Sequence, residues 1–386
     1  MLLENNPYPQ DVRVRGEAES LAAAGHEVTV VAPLDPGQPR RELIDGVRVR
    51  RFPLSPTPAT PRGFVREYAL ANAHLYRAAI GQLLRGADVV HFHNPPDTLF
   101  GVGFLARLLG REVVFDHHDL APELFEAKFG PGPVAGVLRL FERLTFASAT
   151  FVLAANESHR EVARERGGVA EARVAVVRNG PPAAAFAAAT DARDGVLDDP
   201  RLLFLGSMES QDGVDELIDL LVRLERDHGL AARLTVVGEG SRRAPLEAQA
   251  LATRLAERVR FTGRVPHAEV PGLLAEADIC LDPAPCTELN QRSTMIKIAE
   301  YMAARRAIVA NPLLETRRTA GDAVAYAEAD DPASFAAQVA RLAREPEWRG
   351  ALARGGAERA EALGWQASER VLLGVYEQLG AARPSA

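Results

Sequence analysis

The strongest constraint on this chain is an alternation that runs through it twice. Short apolar runs, several rich in β-branched residues, are separated by stretches with a helical period. In the first half, strands are read at Glu27–Ala32, Val47–Phe52, Asp88–Phe92, Glu112–Phe115, Phe151–Ala154 and Val174–Val177. Helices are read at Arg13–Ala24, Gly63–Leu84 and Val102–Leu109, with more helix up to Ala147. From Pro181 to Pro200 the chain becomes rich in Ala, Pro and Asp and loses its period. The alternation then restarts at Leu202–Leu205 and continues through Leu234–Val237, Val259–Phe261, Ile279–Asp282 and Ala307–Ala310. Strands separated by helices imply right-handed crossovers and a parallel sheet. At 386 residues the chain exceeds one ordinary core. The expected class is therefore α/β, with two Rossmann-like doubly wound domains at 1–182 and 200–365 and a linker at 183–199. A last helix at about 366–380 is expected to pack back on the first domain.

Composition narrows the function classes. A net charge of −7 argues against nucleic-acid binding by bulk electrostatics. Cys280 and Cys286 are the only cysteines, too few for a disulfide framework or a zinc site of cysteines. No run of about 18 apolar residues suggests a membrane span. Met1-Leu2-Leu3 leads straight into Glu4 and Asn5, which is not the pattern of a secretory leader. The expectation is a cytoplasmic protein of unknown oligomeric state. The first strand reads as unusually short, with the true start expected upstream.

In doubly wound sheets, ligands sit beyond the carboxyl ends of the strands. The sharpest motif falls there: Arg292-Ser293-Thr294-Met295-Ile296-Lys297-Ile298-Ala299-Glu300-Tyr301-Met302-Ala303. A helix over Thr294–Ala304 would place Ser293, Lys297 and Glu300 on one face, among apolar neighbours. Its amino end, with free N–H groups, the Ser293 and Thr294 hydroxyls, and the charges of Arg292 and Lys297, suits a diphosphate. Glu300 lies further along and suits two ribose hydroxyls. The plainer alternative is a surface pair of Lys297 with Glu300, but acid–base pairs on helices prefer the opposite order.

With these residues the chain resembles the retaining glycosyltransferases of the two-domain GT-B type, family four. The resemblance also rests on Gly25-His26-Glu27-Val28, Asp88-Val89-Val90-His91, His118-Asp119, Asn179-Gly180, Gly238-Glu239-Gly240 and Phe261-Thr262-Gly263-Arg264-Val265. Asp116–Glu123 and Gln211-Asp212-Gly213-Val214-Asp215 resemble a subgroup linked to surface polysaccharide assembly. The resemblance implies that the two domains face a cleft, with nucleotide sugar on the C-terminal one and acceptor on the other. It implies that Glu300 binds ribose and that Ser293, Thr294 and Lys297 lie near the diphosphate. The backbone at Arg264 and Val265 would meet the base, and Gly206 and Gly238 would let the main chain approach the donor. Two departures stand out. Arg292 occupies the place of the family's first glutamate, and Ser207 and Asp212 stand where a basic pair is expected. Arg292 is expected to supply the missing charge.

By the same resemblance, His118 faces the transferred sugar, offering a neutral imidazole or its backbone carbonyl to positive character at the anomeric carbon. His117 and Asp119 are expected to order the loop. His93, Asp97 and Asp119 are placed on the acceptor side, as are Asp11 and Arg13, although Asp11 also reads as a plain helix N-cap. His91 and His93 share one strand face, but the spacing of a metallohydrolase is missing, so no metal is expected. Phe64, Arg66, Tyr68, Tyr76 and Arg77 form a basic-aromatic helix whose arginines are candidates for contact with an anionic membrane or an acidic acceptor. Pro131 and Pro133 argue against one continuous helix over Phe125–Phe146.

The implied reaction is metal-independent, cofactor-free and retaining. A sugar moves from a UDP- or GDP-linked donor to a glycan, lipid-linked or small natural-product acceptor. The competing readings are a catalytically degenerate nucleotide-sugar-binding partner and a sugar-nucleotide epimerase of the same fold.

Overall fold

A computed structural model describes residues 1–4, 6–54, 61–180, 186 and 193–381. The side chains of residues 61–65, 67, 128 and 381 are likewise outside the description. The chain forms two compact units, Met1–Asn179 with Gln366–Ala386, and Gly180–Trp365. Much of the stretch read as the linker lies outside the described residues, but Phe186 is buried in the core of the second unit.

Unit 1 is built on strands β1 (Thr29–Pro33), β2 (Arg41–Ile44), β3 (Val47–Phe52), β4 (Val89–His93), β5 (Glu112–His117), β6 (Phe151–Ala154) and β7 (Val174–Val176). They pair in the orders β1-β3-β2 and β4-β5-β6-β7. Leu2 joins the two groups by parallel bridges to Val31 of β1 and Phe92 of β4. Every pairing is parallel except β2 with β3. The sequence reading contained no β2. Its signal is Asp45-Gly46, whose φ values of 47° and 82° make the two-residue hairpin turn between Ile44 and Val47.

The helices of unit 1 are α1 (Val12–Ala23), α2 (Pro61–Leu83), α3 (Phe100–Leu108), α4 (Ala121–Phe129), α5 (Pro133–Ser148) and α6 (Glu157–Glu165). Gly130, with φ of 80°, ends α4, and Pro133 begins α5, so the expected break at the prolines is present. On the basic-aromatic helix α2, Tyr68 and Tyr76 are half-buried, and the Tyr76 hydroxyl donates to Thr98 O at 2.8 Å. Arg66 and Arg77 are exposed, and the Phe64 side chain lies outside the described residues.

Unit 2 has one parallel sheet in the order β10-β9-β8-β11-β12-β13. Its strands are β8 (Arg201–Leu205), β9 (Arg233–Val237), β10 (Val259–Gly263), β11 (Ile279–Asp282), β12 (Ala307–Ala310) and β13 (Ala325–Tyr326). The helices are α7 (Leu217–His228), α8 (Arg243–Ala252), α9 (Val270–Glu276), α10 (Glu288–Arg292), α11 (Ile296–Ala303), α12 (Leu314–Ala320), α13 (Pro332–Arg344) and α14 (Pro346–Ala362). Helix α7 shows why such segments fold as they do. Leu217, Ile218, Leu220, Leu221 and Leu224 fall at helical spacing, are buried together, and the helix stops at Gly229 with φ of 66°. Each such leucine buried contributes roughly 1.5–3 kcal/mol before entropy is counted. The last helix, α15 (Trp365–Ala381), returns the chain to unit 1. No described helix is long and apolar enough to cross a membrane.

Candidate functional site

In unit 2 the site residues gather at the carboxyl end of the sheet. β8 and β9 run into Gly206 and Gly238, with φ of 149° and 135°. A side chain at Gly238 would collide with the Gly206 carbonyl, and one at Gly206 would stand 3.1 Å from Lys297 Cε. Glycine alone suits both the dihedrals and the space. Lys297 therefore lies across the end of β8, its Nζ 4.6 Å from the centre of the Phe204 ring. That nitrogen is 3.4 Å from Oδ1 of both Asp212 and Asp282. The Tyr301 hydroxyl accepts from Leu205 N at 2.8 Å and donates to Leu281 O at 3.3 Å, which locks β8 to β11 beneath the lysine.

The helix carrying the motif begins later than expected. α11 starts at Ile296, with Met295 at its N-cap and no side-chain cap bond. Ser293 instead has an extended backbone and closes α10, its hydroxyl donating to Leu289 O at 2.8 Å. Ser293 is thus not on the helical face of Lys297 and Glu300. Arg292 lies on α10, 3.3 Å from Glu288, one turn back. Thr294 sits between the two helices. At the start of α11 the Ile298 N–H already donates to Met295 O at 3.0 Å, and the N–H groups of Ile296 and Lys297 before it have no acceptor within the helix. Glu300 is only 7% exposed, and its Oε1 lies 2.9 Å from Nε2 of the half-exposed His267. His267 was not foreseen; its signal was its position three residues beyond Arg264, on the loop after β10. Arg264 is exposed, and Val265 packs on the core cluster that contains α11.

In unit 1 the motif residues sit at the ends of β4 and β5. Asn94 organises them: its Oδ1 accepts from His118 N at 2.9 Å and Asp119 N at 3.1 Å, and its Nδ2 donates to Asp119 O at 2.6 Å. Asp116 is the charged hub. Its carboxylate takes Arg13 Nε at 2.6 Å and Nη2 at 2.5 Å, and lies 2.9 Å from His93 Nδ1. His118 Nδ1 is 3.6 Å from the same carboxylate.

Three residues expected to face an acceptor are corrected by this geometry. Arg13, His93 and Asp97 are 5%, 1% and 4% exposed. Arg13 is buried because it is the counter-ion of Asp116, and a buried carboxylate needs one. Asp11 caps α1, accepting from Val14 N at 3.0 Å, so the N-cap alternative describes it. His118 and Asp119 keep partial exposure. His117 points the other way, fully buried and 3.6 Å from Glu142. The two cysteines are unpaired, as expected.

The electrostatics also alter the role expected of His118. Burial pushes its pKa down, but the Asp116 carboxylate outweighs that and holds it above the ordinary histidine value. That shift makes the imidazole easier to protonate, so it is less suited to face growing positive charge. Asp97 carries a larger shift. Burial, reinforced by the charge of Glu142, raises its pKa to about 8. In the unfolded chain an aspartate titrates near 4, at about 3.9. Between those values the folded state binds the extra proton, so stability is full below about pH 4 and falls as pH rises to about 8. Asp97→Asn is therefore expected to leave the melting temperature unchanged near pH 4 and to raise it at pH 8, by an amount worth about 5 kcal/mol. Calorimetric scans across that range check this, and equal shifts at both ends would contradict it.

Two family models match the chain: "Glycosyl transferase 4-like domain" over residues 10–180 and "Glycosyl transferases group 1" over residues 199–345. The chain belongs to the GT-B glycosyltransferases of family four. A glycogen synthase of Mycobacterium tuberculosis is 29% identical, a match covering 69% of this chain and 66% of that one. This chain therefore spans just under two thirds of that relative. A D-inositol 3-phosphate glycosyltransferase of Thermomonospora curvata is also 29% identical, over 93% of this chain and 88% of the other. An alpha-D-kanosaminyltransferase of Streptomyces kanamyceticus is 26% identical, over 95% and 99%. Among solved structures, a sucrose-phosphate synthase from Thermosynechococcus elongatus aligns with a TM-score of 0.77 at 19% identity, covering 99% of this chain and 96% of that one. Anabaena HepE in complex with UDP and glucose aligns at 0.73 and 16%, covering 98% of each. These likenesses confirm the GT-B fold of two Rossmann-like units.

For this family-four glycosyltransferase, unit 2 brings Gly206, Gly238, Lys297 and Glu300 to one edge, with Arg264 and Val265 after the neighbouring strand β10. It takes Ser293 off the helical face expected for it and places Arg292 on the preceding helix α10. Unit 1 brings His118 and Asp119 to a partly open loop above a sealed charge network.

Proposed function

We propose that this glycosyltransferase moves a sugar, with retention of configuration, from a UDP- or GDP-linked donor on unit 2 to a glycan, lipid-linked or small natural-product acceptor on unit 1. The observation that carries the reading is Glu300, a carboxylate only 7% exposed, held on the same helix as Lys297 and one turn from an uncapped helix start. A pentose diol placed there gives Glu300 two donors, and the diphosphate then falls toward the N–H groups of α11, Lys297 and Arg292. Arg264 and Val265 line the base, with backbone groups as the contacts. The HepE complexes, which contain UDP and UDP-glucose, support a uridine or similar donor. The D-inositol 3-phosphate glycosyltransferase supports an acceptor hydroxyl on a small polar molecule.

In this mechanism the bond from the anomeric carbon to the β-phosphate oxygen breaks, and its electron pair stays on that oxygen. The acceptor oxygen bonds to the same face of the anomeric carbon, and its proton passes to the phosphate oxygen. The cationic groups and helix N–H dipoles lower the basicity of the leaving diphosphate, so the donor site needs no metal. Because Asp116 makes the His118 imidazole easier to protonate, the backbone carbonyl of His118 is the group assigned to the positive anomeric carbon.

Asp212 and Asp282 oppose an incoming anion, and they hold Lys297. Burial raises the Asp212 pKa, against the pull of Lys297. Asp212→Asn is therefore expected to tighten nucleoside diphosphate binding about tenfold, roughly 1.4 kcal/mol, and titration calorimetry reads it directly. Unchanged or weaker binding would mean that Lys297 does not meet the phosphates.

Incubation with UDP-, GDP-, ADP- and TDP-linked sugars, with and without simple acceptors, tests the proposal. Release of one free nucleoside diphosphate is expected. Binding without release from any donor would favour the degenerate binding partner, a reading that draws on the pairing of Lys297 with two carboxylates and Arg292 with Glu288.

A further inference from the structure

Below the His118 loop, unit 1 holds a group of side chains that the proposed transfer does not use. Glu17 comes from α1, and His91 and His93 come from alternate positions on β4, which puts both imidazoles on one face. The ligand-type atoms of Glu17, His91, His93 and Asp116 lie within 4.8 Å of one another, and all four residues are buried. Glu17 Oε2 is 3.6 Å from His91 Nε2 and 4.0 Å from His93 Nε2. Donors around a tetrahedral zinc-class ion, each about 2.0–2.1 Å from it, stand about 3.4 Å apart. We propose that Glu17, His91 and His93 hold one divalent cation of the zinc class, in a structural site distinct from the donor site of unit 2.

Three observations support this. First, both Glu17 carboxylate oxygens, His91 Nε2 and His93 Nε2 are buried without a hydrogen-bond partner. Buried polar atoms in native folds are otherwise nearly always satisfied. A cation placed among them satisfies the two imidazoles and the carboxylate at once. A proton on Glu17, which Asp116 can share, leaves both rings unsatisfied, because at 3.6 and 4.0 Å the acid is too far to donate to either imidazole.

Second, each imidazole is oriented from its other nitrogen. His93 Nδ1 is 2.9 Å from Asp116 Oδ2, and His91 Nδ1 is 3.0 Å from the Tyr376 hydroxyl. A proton held on Nδ1 of His93 by a carboxylate leaves the Nε2 lone pair facing Glu17. Metal-bound histidines are oriented in the same way.

Third, charge leaves room for a cation. Arg13 is consumed by a two-pronged pairing with Asp116, although its Nε is also 3.3 Å from Glu17 Oε1. Glu17 and Asp116 are two buried carboxyl groups that share the single guanidinium of Arg13, so a cation placed on Glu17 offsets their like charges. Two imidazoles and a carboxylate suit zinc-class ions better than magnesium or calcium, which prefer all-oxygen shells. Through Tyr376 the ion would also tie α15 to β4 within unit 1.

The test needs no sugar donor, so its failure is separate from failure of the proposed transfer. Protein expressed in zinc-supplemented medium and dialysed is expected to retain one zinc per chain by mass spectrometry. Strong chelation should remove it and lower the melting temperature. Cobalt reloading of the stripped protein should give intense visible bands of a four-coordinate nitrogen–oxygen site. His93→Ala and Glu17→Gln should abolish those bands. Tyr376→Phe, which removes only a hydroxyl, should weaken zinc affinity about 10- to 100-fold with circular dichroism unchanged. Folded wild-type protein with no retained zinc and no cobalt bands would overturn the site. So would bands that persist in all three variants, since the ion would then be bound elsewhere.

Discussion

Replacing Asp116 with alanine should destabilise unit 1 by about 3 kcal/mol, because it removes the bidentate counter-ion of buried Arg13 and leaves only the longer 3.3 Å contact with Glu17. Arg13 and Asp116 are both almost fully buried, and the pair is bidentate at 2.5 and 2.6 Å. The arginine also donates to Val177 O at 2.8 Å, so it cannot swing out to water without breaking the edge near β7. In a domain of this size each kcal/mol shifts the melting midpoint by about 2–4 °C, so the loss should be plain in a thermal scan. The double variant Arg13→Met with Asp116→Leu should recover much of it, since two apolar side chains need no counter-charge. The pairing has a pH signature as well. Burial raises the Asp116 pKa, but Arg13 outweighs it and the carboxyl sits well below its usual range. A depressed carboxylate stabilises the fold above its unfolded pKa, and that stability is lost as pH falls from about 4 downward. Asp116→Asn should therefore remove acid sensitivity that the wild type shows. Denaturant titrations of the three variants check these outcomes, and a neutral Asp116→Ala would refute the hub.

The second large effect concerns the donor site. Glu300→Ala should weaken nucleoside diphosphate binding by about 10²- to 10⁴-fold, from two charge-assisted hydrogen bonds worth about 1.5–3 kcal/mol each. The melting temperature should barely move, since alanine is a good helix residue and Glu300 bonds only to the half-exposed His267 among the partners shown. Glu300→Gln, which keeps an acceptor but loses the charge, should fall between the two. Titration calorimetry separates the three cases.

Much of the fold was legible because strand and helix periods are local properties. Both sheets follow from runs such as Val89–His93 and Ile279–Asp282, which are apolar, short and bounded by turns. The strand Arg41–Ile44 was missed because two of its four residues are charged and three are exposed, so no apolar alternation marks it. Only the Asp45-Gly46 turn betrays it. The start of α11 was misplaced for a different reason. Ser293 and Thr294 look like capping residues, yet Ser293 is spent on the preceding turn of α10, a choice made by backbone geometry rather than residue type. Lys297 and Glu300 could be placed together from spacing alone, being one turn apart. Partners far apart in sequence could not. Arg13 and Asp116 are 103 residues apart, and Glu300 and His267 are 33. Burial of Arg13, His93 and Asp97 was likewise hidden: Arg13 and His93 meet Asp116 from far away in sequence, and Asp97 is buried with a raised pKa instead of a counter-ion.

The central claim is that Glu300 grips the pentose of a nucleoside diphosphate. A calorimetric cycle tests it most directly, titrating wild type and Glu300→Ala with a nucleoside diphosphate and with its 2′,3′-dideoxy form. If the carboxylate and the hydroxyls meet, either change alone should cost nearly the full loss, and making both should cost little more. Losses that simply add, or a dideoxy nucleotide that binds wild type as tightly as the parent, would contradict the claim.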